Sequence, residues 1–287
     1  MNPMRVALCN EVLADLDFGS QCAYAAALGY QGLELAPFTL ADDPARLSEA
    51  DARRLAAIAA DHGLVISGLH WLLVAPKGLS ITSEDPIQRA HTIDVIRRLI
   101  DLCAGLGGHY LVHGSPAQRR PQPAQDLERA RELAIDCWRQ AAEAAAAAGL
   151  VYCIEPLSRE QTPLVNTLAE AIEIVEQQRL PALRTMLDTS SAAVTETLSI
   201  PELIDRHWGS GKIAHVQLND RNRRGPGQGH DRFAPVLEAL ARHGYRGWIA
   251  VEPFDYRPDG RGCAAFSAGY LAGLREALAL RAGAATR

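Results

Sequence analysis

The chain alternates short apolar segments with longer amphipathic segments along almost its whole length, and this alternation most constrains the fold. Helix-like segments end on glycine and a strand-like segment begins within a few residues, as at Gly63-Leu64 and Gly149-Leu150. Glycine suits this position because it readily takes the left-handed conformation that closes a helix. Eight strand–helix units fit the sequence, and strands that alternate with helices predict a parallel sheet.

We therefore predict an α/β protein in which a single (β/α)8 TIM barrel spans residues 1–287, with residues 281–287 as a frayed tail. The length fits, because such barrels commonly run to ~250 residues as one domain. The alternative is an open, doubly wound sheet. No glycine-rich phosphate loop follows the first predicted strand, Arg5 to Cys9, which counts against a dinucleotide-binding version of that alternative.

Four of the predicted strands end on a side chain that offers an oxygen ligand. The four residues are Glu155, Asp188, Gln217 and Glu252, and each follows an apolar run. We expect them to meet at one mouth of the barrel, because barrels of this kind carry their active sites at the C-terminal ends of the strands. Three carboxylates that converge without a cation repel one another and raise at least one pKa, and a metal ion removes that conflict.

The ligand types indicate which metal to expect. Carboxylate and amide oxygens suit hard divalent ions, whereas zinc more often takes nitrogen or sulfur ligands. We therefore predict a divalent metal cofactor and expect Mn²⁺, with Mg²⁺, Co²⁺ and Zn²⁺ as the other ions considered. The alternative is that each residue is an ordinary polar strand end that faces water, an interpretation that fits one such residue better than four together.

Composition and charge argue against several classes of partner. The formal net charge is −5, whereas a dedicated nucleic-acid binder usually carries a basic face. No run approaches the ~18 apolar residues of a membrane span, and the N-terminus lacks the apolar core of a signal peptide. The six cysteines include no CxxC pair and are expected to be reduced and buried. We therefore expect a cytoplasmic protein with a small-molecule substrate and neither nucleic acid nor membrane as partner.

The four strand ends and their neighbours resemble the motifs of a known family. The motifs are Glu-Pro-Leu-Ser-Arg at 155–159, Leu-Asp-Thr at 187–189, His-Val-Gln at 215–217 and Glu-Pro-Phe at 252–254. In order and spacing they are similar to those of the xylose isomerase-like TIM-barrel superfamily of sugar isomerases and epimerases. The resemblance covers nearly the whole chain and is strongest to the ketose 3-epimerase and hydroxypyruvate isomerase branches. It is specific to the superfamily and not to a substrate.

The resemblance implies that Glu155, Asp188, Gln217 and Glu252 are the metal ligands, with Glu155 and Glu252 also the acid–base pair. It implies a divalent-metal-dependent isomerase or epimerase of a small sugar, sugar acid or hydroxy-oxo acid. One glutamate would remove a proton next to a carbonyl, the metal would stabilise the enediolate, and return of the proton would give an epimer or an isomer. Relatives are often dimers or tetramers, so a homo-oligomer is a further expectation.

Three candidate substrate-binding residues follow from positions in the epimerase relatives. Arg223 lies six residues beyond the seventh-strand ligand, where those relatives place an arginine that contacts substrate, and guanidinium groups grip paired oxygens. Gln161 and Ser191 stand where the epimerases often carry a glutamate and a histidine. These two departures count against a ketose 3-epimerase and leave the metal site intact.

Three more candidates end neighbouring strands. His70 and His113 end the third and fourth predicted strands, and Glu34 lies near the end of the second, where family members often have a pocket glutamate. We predict that all three contact the substrate. His215 precedes Gln217 by two residues and so shares a face of its strand with it, which places it in a layer beneath the metal.

Two other functions remain open. A metal-dependent lyase or dehydratase of the same superfamily would use the same site, expel a hydroxyl after proton removal and release an unsaturated product. A noncatalytic sugar-binding barrel would bind its ligand without turnover, although the intact pair of glutamates argues against it. Apurinic endonucleases of the superfamily usually assemble several metals on many histidines, and the chain lacks that set.

Overall fold

The computed structural model describes residues 4–285, with side chains described as far as residue 281, and it shows eight parallel strands closed into one barrel. Each strand pairs with the next along the chain, and the last closes on the first with Ala250 opposite Ala7. The predicted (β/α)8 barrel is confirmed. The strands are β1 Arg5–Cys9, β2 Gly32–Leu35, β3 Val65–Leu69, β4 Tyr110–His113, β5 Val151–Ile154, β6 Leu183–Asp188, β7 Ile213–Leu218 and β8 Trp248–Val251.

Most of the helices between the strands begin after a side chain that caps the first turn. Ser48 and Asp51 form a reciprocal capping box before the second helix, and Thr167 and Glu170 do the same before the fifth, because such pairs satisfy the first backbone N–H groups. The seven-residue helix after β6 was not predicted. The helices are α1 Phe18–Ala27, α2 Glu49–Asp61, α3 Pro86–Gly105, α4 Leu127–Ala147, α5 Leu168–Gln178, α6 Thr189–Thr195, α7 Ile200–His207, α8 Phe233–Arg242 and α9 Gly260–Ala285.

The strand register sets the height of the four predicted ligands. Asp188, the last residue of β6, lies opposite Gln217 of β7, which in turn lies opposite Ala250 of β8. Glu155 and Glu252 follow directly after β5 and β8, and their backbone N–H groups donate to carbonyl oxygens of the neighbouring strands at 3.3 Å. All four residues therefore lie at the C-terminal end of the barrel, as predicted.

Three further sequence predictions concern features away from the barrel mouth. Of the expected tail at 281–287, residues 281–285 continue α9, and residues 286 and 287 lie outside the described residues. All six cysteines lie in the described part of the chain, where they are buried and free, as expected. Within residues 4–285, no helix has both the length and the apolar character needed to cross a membrane.

Close packing between β3 and β4 depends on the absence of a side chain at Gly68. An added Cβ there would lie 2.5 Å from the carbonyl oxygen of Tyr110 and 2.6 Å from its ring. Because the first of these atoms belongs to the backbone, we expect Gly68→Ala to lower the free energy of unfolding by about 1–3 kcal/mol, measured by urea denaturation.

Gly269→Ala is the matched control for this substitution. Gly269 is exposed within α9, where an added Cβ meets no neighbouring element of the described chain within 4 Å. Since alanine is the better helix former, we expect a small gain, up to about 1 kcal/mol. Equal stability of Gly68→Ala and the wild type would contradict the strand packing described above.

Candidate active site and metal centre

Three carboxylates converge at the C-terminal mouth of the barrel. Glu155 follows β5, Asp188 ends β6 and Glu252 follows β8. One oxygen from each lies within 4.8 Å of the other two. The three residues are only 7%, 3% and 4% exposed, so little water reaches them to screen their charges. The structure therefore brings together the three acidic ligands predicted from the sequence.

Burial and mutual repulsion disfavour the ionised form of this group. Burial raises the pKa of Glu155 well above its usual value, and the charges of Glu252 and Asp188 raise it further. Burial also raises the pKa of Asp188. It raises the pKa of Glu252 to about 8, although a hydrogen bond from His70 lowers the pKa of Glu252 in part. At neutral pH the cluster therefore retains protons that a divalent cation would displace.

Gln217 lies beside this cluster and is itself fully buried. Its Nε2 donates to Oε1 of Glu34 at 2.6 Å, and the geometry of an amide turns its Oε1 away from Glu34. That oxygen has no hydrogen-bond partner among residues 4–285, and the same holds for Asp188 Oδ2 and Glu252 Oε2. Buried acceptors normally have partners, so these unsatisfied oxygens fit a hard divalent cation, which takes oxygen ligands.

Asp188 uses its other oxygen to begin α6. Its Oδ1 accepts from the backbone N–H of Ser191 at 2.7 Å and caps the helix. Aspartate three residues before such an N–H is a favoured cap, and this was the signal in the sequence that α6 follows β6. The Ser191 hydroxyl lies 3.5 Å from Oε1 of Gln161, so two of the predicted substrate-binding residues are neighbours.

His70 lies behind Glu252 and links it to a fourth buried carboxylate. Its Nδ1 is 2.8 Å from Oε1 of Glu252, and its Nε2 is 3.0 Å from Oε2 of Glu11. Burial opposes a charge on this imidazole, but Cys9 and Glu11 hold its pKa well above the usual value. Glu11 was not predicted. Its signal was an acidic residue two positions beyond the end of β1.

Glu34 lies beneath Gln217 in the barrel interior and is fully buried. Its Oε2 accepts a hydrogen bond from the Tyr110 hydroxyl and lies 2.8 Å from Nε2 of His215. Burial alone would raise the pKa of Glu34, but His215 and the other donors lower it to about 2. His215 stacks on Tyr110 with ring centroids 4.1 Å apart, in the layer predicted for it.

His113 lies away from the carboxylates, between the barrel and its helix layer. Its Nδ1 is 2.6 Å from the Tyr152 hydroxyl, and its ring meets Trp138 of α4 edge-on. Burial, together with the charge of Arg119, lowers its pKa to about 3. The structure therefore does not bring His113 to the site, although the sequence predicted that it contacts the substrate.

Arg119 is a second buried residue that the sequence did not single out. Its Nη1 donates to the carbonyl oxygen of Glu155 at 2.7 Å, and its Nη2 donates to the carbonyl oxygens of Leu164 and Val165 at 2.5 and 3.2 Å. Its guanidinium also lies over the ring of Trp138. One buried cation therefore ties the start of the β5–α5 loop to its end and fixes the backbone that carries Glu155.

A cavity of about 460 Å³ opens over the carboxylates, a size typical of sites for small molecules. Trp71 and Phe254 form an aromatic wall, with ring centroids 5.7 Å apart, and the guanidinium of Arg223 lies 4.9 Å from the Phe254 ring. Arg223 and Gln161, two of the predicted substrate-binding residues, both line the cavity. Its other walls come from Gly114, Ser115, Pro116, Ala117, Arg120, Glu155, Leu157, Glu160 and Glu252.

Barrel, strand-end carboxylates and cavity together define the class of protein. The chain belongs to the xylose isomerase-like TIM barrel family, whose model matches residues 22–278, and the resemblance seen in its motifs is confirmed. The D-psicose 3-epimerase of Ruminiclostridium cellulolyticum is 32% identical over 179 residues, which is 61% of this chain and 59% of that protein. The putative hydroxypyruvate isomerase of Streptomyces coelicolor is 30% identical over 252 residues, 82% of this chain and 84% of that protein.

The extent of these similarities differs between sequence and structure. The chain covers less than two thirds of the length of the Ruminiclostridium protein and of the probable ketose 3-epimerase of Synechocystis. The solved structure of L-ribulose 3-epimerase superimposes on this chain with a TM-score of 0.82 at 21% sequence identity. The match includes 99% of this chain and 99% of that structure. At that identity the likeness shows the fold alone.

Gly114 gives a test of where the Glu155 carboxylate lies. A Cβ added to Gly114 would collide with that carboxylate, which ends a flexible side chain and can move aside. We therefore expect Gly114→Ala to weaken Mn²⁺ binding by about 10–100-fold while changing the free energy of unfolding by less than about 1 kcal/mol. Isothermal titration calorimetry measures Mn²⁺ affinity, and urea denaturation measures the free energy of unfolding. Gly269→Ala is the control and should leave Mn²⁺ affinity unchanged.

The raised pKa values predict how the stability of the metal-free protein depends on pH. The carboxyl of Glu252 has a pKa of about 8 in the folded state and about 4.3 in the unfolded chain. The folded state binds more protons between these values, so its stability falls as pH rises. Glu155 and His70, whose pKa values are also raised, act in the same direction.

We expect the melting temperature of the metal-free protein to fall from about pH 6.5 to about pH 8. The slope should be shallower in Glu252→Gln, which cannot titrate, and saturating Mn²⁺ should raise the melting temperature more at the higher pH. Differential scanning calorimetry after dialysis against a chelator measures all three. A metal-free wild type that gains stability over this range would contradict the shifts described.

Proposed function

We propose that this protein is a divalent-metal-dependent isomerase or epimerase of a small sugar, sugar acid or hydroxy-oxo acid. The observation that supports this most is the convergence of Glu155, Asp188 and Glu252, with unsatisfied buried oxygens, at the base of a small-molecule cavity. The names of the relatives, D-psicose 3-epimerase, L-ribulose 3-epimerase and putative hydroxypyruvate isomerase, agree with it.

The proposed metal ligands are Glu155, Asp188, Gln217 and Glu252, each through oxygen. We propose Mn²⁺ as the ion, with Mg²⁺, Co²⁺ and Zn²⁺ as the alternatives. A divalent ion bound there would stabilise the negative charge that develops on a substrate carbonyl oxygen as a neighbouring proton leaves.

Glu155 and Glu252 are the proposed acid–base pair, because both line the cavity. Their raised pKa values bring them towards neutral pH, where a general base and a general acid work best. One takes the proton from a carbon next to the carbonyl, and the same group or its partner returns it. Return to the other face of that carbon gives an epimer, and return to the adjacent carbon gives an isomer.

The proposed substrate contacts are fewer than the sequence predicted. We propose that Arg223, whose guanidinium lies over the Phe254 ring, binds substrate oxygens. Gln161, next to Ser191, is the proposed amide contact at the cavity wall. His70 is buried behind Glu252, so we propose that it holds that carboxylate in place and makes no contact with the substrate.

Solvent deuterium exchange tests the proposal. The protein with Mn²⁺ is incubated in heavy water with a panel of ketoses, aldoses and hydroxy-oxo acids, and each compound is followed by NMR. We expect metal-dependent deuterium at a carbon next to a carbonyl, with the rate lowered about 10²–10⁴-fold in Glu155→Gln and in Glu252→Gln. Glu173→Gln is the matched control, because Glu173 is exposed on α5, and it should exchange like the wild type.

Other outcomes separate the alternatives. An unsaturated product would indicate the lyase or dehydratase. Binding of a sugar with neither exchange nor product across the panel would favour a noncatalytic sugar-binding barrel. Full activity of Glu155→Gln would refute the assigned acid–base pair.

A further inference from the structure

We propose that Glu34 is a positioning residue that fixes the amide of Gln217, so that its oxygen and not its nitrogen is presented to the metal. The inference deepens the proposed function and rests on the metal centre described there. It also replaces the substrate-binding role that the sequence predicted for Glu34.

An amide side chain needs such a device. Its two ends have nearly the same shape, yet only the carbonyl oxygen can bind a cation, since the NH2 group has two donors and no acceptor. Gln217 and Glu34 are both fully buried, and Gln217 Nε2 lies 2.6 Å from Glu34 Oε1. A carboxylate only accepts hydrogen bonds, so a flipped Gln217 would set two oxygens against each other.

The surroundings of Glu34 keep it in the accepting state. Gln217 donates to one of its oxygens, and the other accepts from Tyr110 and lies 2.8 Å from a ring nitrogen of His215. The nearest sulfur, of Cys9, is also a donor, at 3.7 Å. Gln217, Tyr110 and Cys9 each donate a hydrogen bond to Glu34, so Glu34 presents an acceptor on the side that faces Gln217.

Glu34 is buried too deeply in the barrel to contact the substrate directly. Both of its oxygens are engaged, its side chain has no exposed surface, and the Tyr110 and His215 rings stack beside it with centroids 4.1 Å apart. Glu34 is also absent from the residues that line the cavity over the carboxylates. Any influence of Glu34 on that cavity is therefore indirect, and its hydrogen bond to the strand ends that carry the proposed ligands is the one from Gln217.

A reciprocal exchange of the two side chains tests the inference. In Glu34→Gln one of the two acceptor oxygens at position 34 becomes an NH2 group, so the amide of Gln217 loses its fixed orientation, and we expect Mn²⁺ affinity to fall about 10–100-fold. Adding Gln217→Glu to that variant restores the hydrogen bond in the opposite direction, because the NH2 group at position 34 then donates to the carboxylate at position 217. We expect Mn²⁺ affinity to recover by about tenfold or more. In the native background Gln217→Glu places two carboxylates together and should give no gain.

Isothermal titration with Mn²⁺ alone measures the four proteins, and circular dichroism confirms that each is folded. Wild-type affinity in Glu34→Gln, or additive effects of the two substitutions, would overturn the inference. A wild type that binds no Mn²⁺ would overturn the proposed metal centre instead, which keeps the two failures distinct. If Glu34→Gln does not fold, Glu34→Asp replaces it, because it keeps the charge and withdraws the acceptor by one methylene.

Glu173→Gln is the matched control. It makes the same substitution at an exposed position on α5, so Mn²⁺ affinity should stay within about threefold of the wild type. A loss as large as that in Glu34→Gln would count against a specific effect on the Gln217 amide.

Discussion

Repulsion among three buried carboxylates is the constraint around which the barrel mouth is organised. Two of the three carboxylates, those of Asp188 and Glu252, each have a donor behind one oxygen and leave the other oxygen without a partner in the described chain. A backbone N–H holds Asp188, and an imidazole holds Glu252. Gln217 also has one end bonded and the other unpaired in the described chain. Its nitrogen donates to the Glu34 carboxylate, and its oxygen has no partner. Such an arrangement is unfavourable in the folded protein without a cation, and in the proposed metal centre a bound cation would relieve that cost.

A second polar layer lies beneath the proposed ligands and contacts them through Gln217. Glu34, Tyr110 and His215 fill the barrel interior, where apolar side chains are usual. Tyr110 donates to Glu34, and His215 stacks on Tyr110 with its Nε2 2.8 Å from Glu34. The barrel therefore gives up some apolar packing for a polar layer that restricts the orientation of Gln217.

Sequence reasoning reached the fold and the convergence of the candidate ligands because both depend on local patterns. Strand ends, helix caps and glycine stops are read within a few residues, and the barrel rule then places Glu155 and Glu252 at the same mouth. The sequence-based prediction was wrong where it depended on the direction in which a side chain points. His113 ends β4 as His70 follows β3, yet one ring faces the helix layer and the other the barrel. That choice depends on register and helix packing, which also bring Glu11 and Arg119 to the site from distant parts of the sequence.

The bonds of Arg119 bear on how substrate preference changes during evolution. Its guanidinium holds the β5–α5 loop only through carbonyl oxygens, those of Glu155, Leu164 and Val165. Every amino acid supplies the same carbonyl, so the hold of Arg119 on the loop does not depend on the side chains that the loop displays. Gln161 helps to fold the loop, because its Oε1 accepts from the backbone N–H and the hydroxyl of Ser158. An exposed position on the cavity wall such as Glu160 is therefore open to replacement by drift or selection while the backbone under Glu155 stays in place. The buried guanidinium of Arg119 thus keeps the backbone under a proposed catalytic residue constant while the side chains that would select the substrate vary.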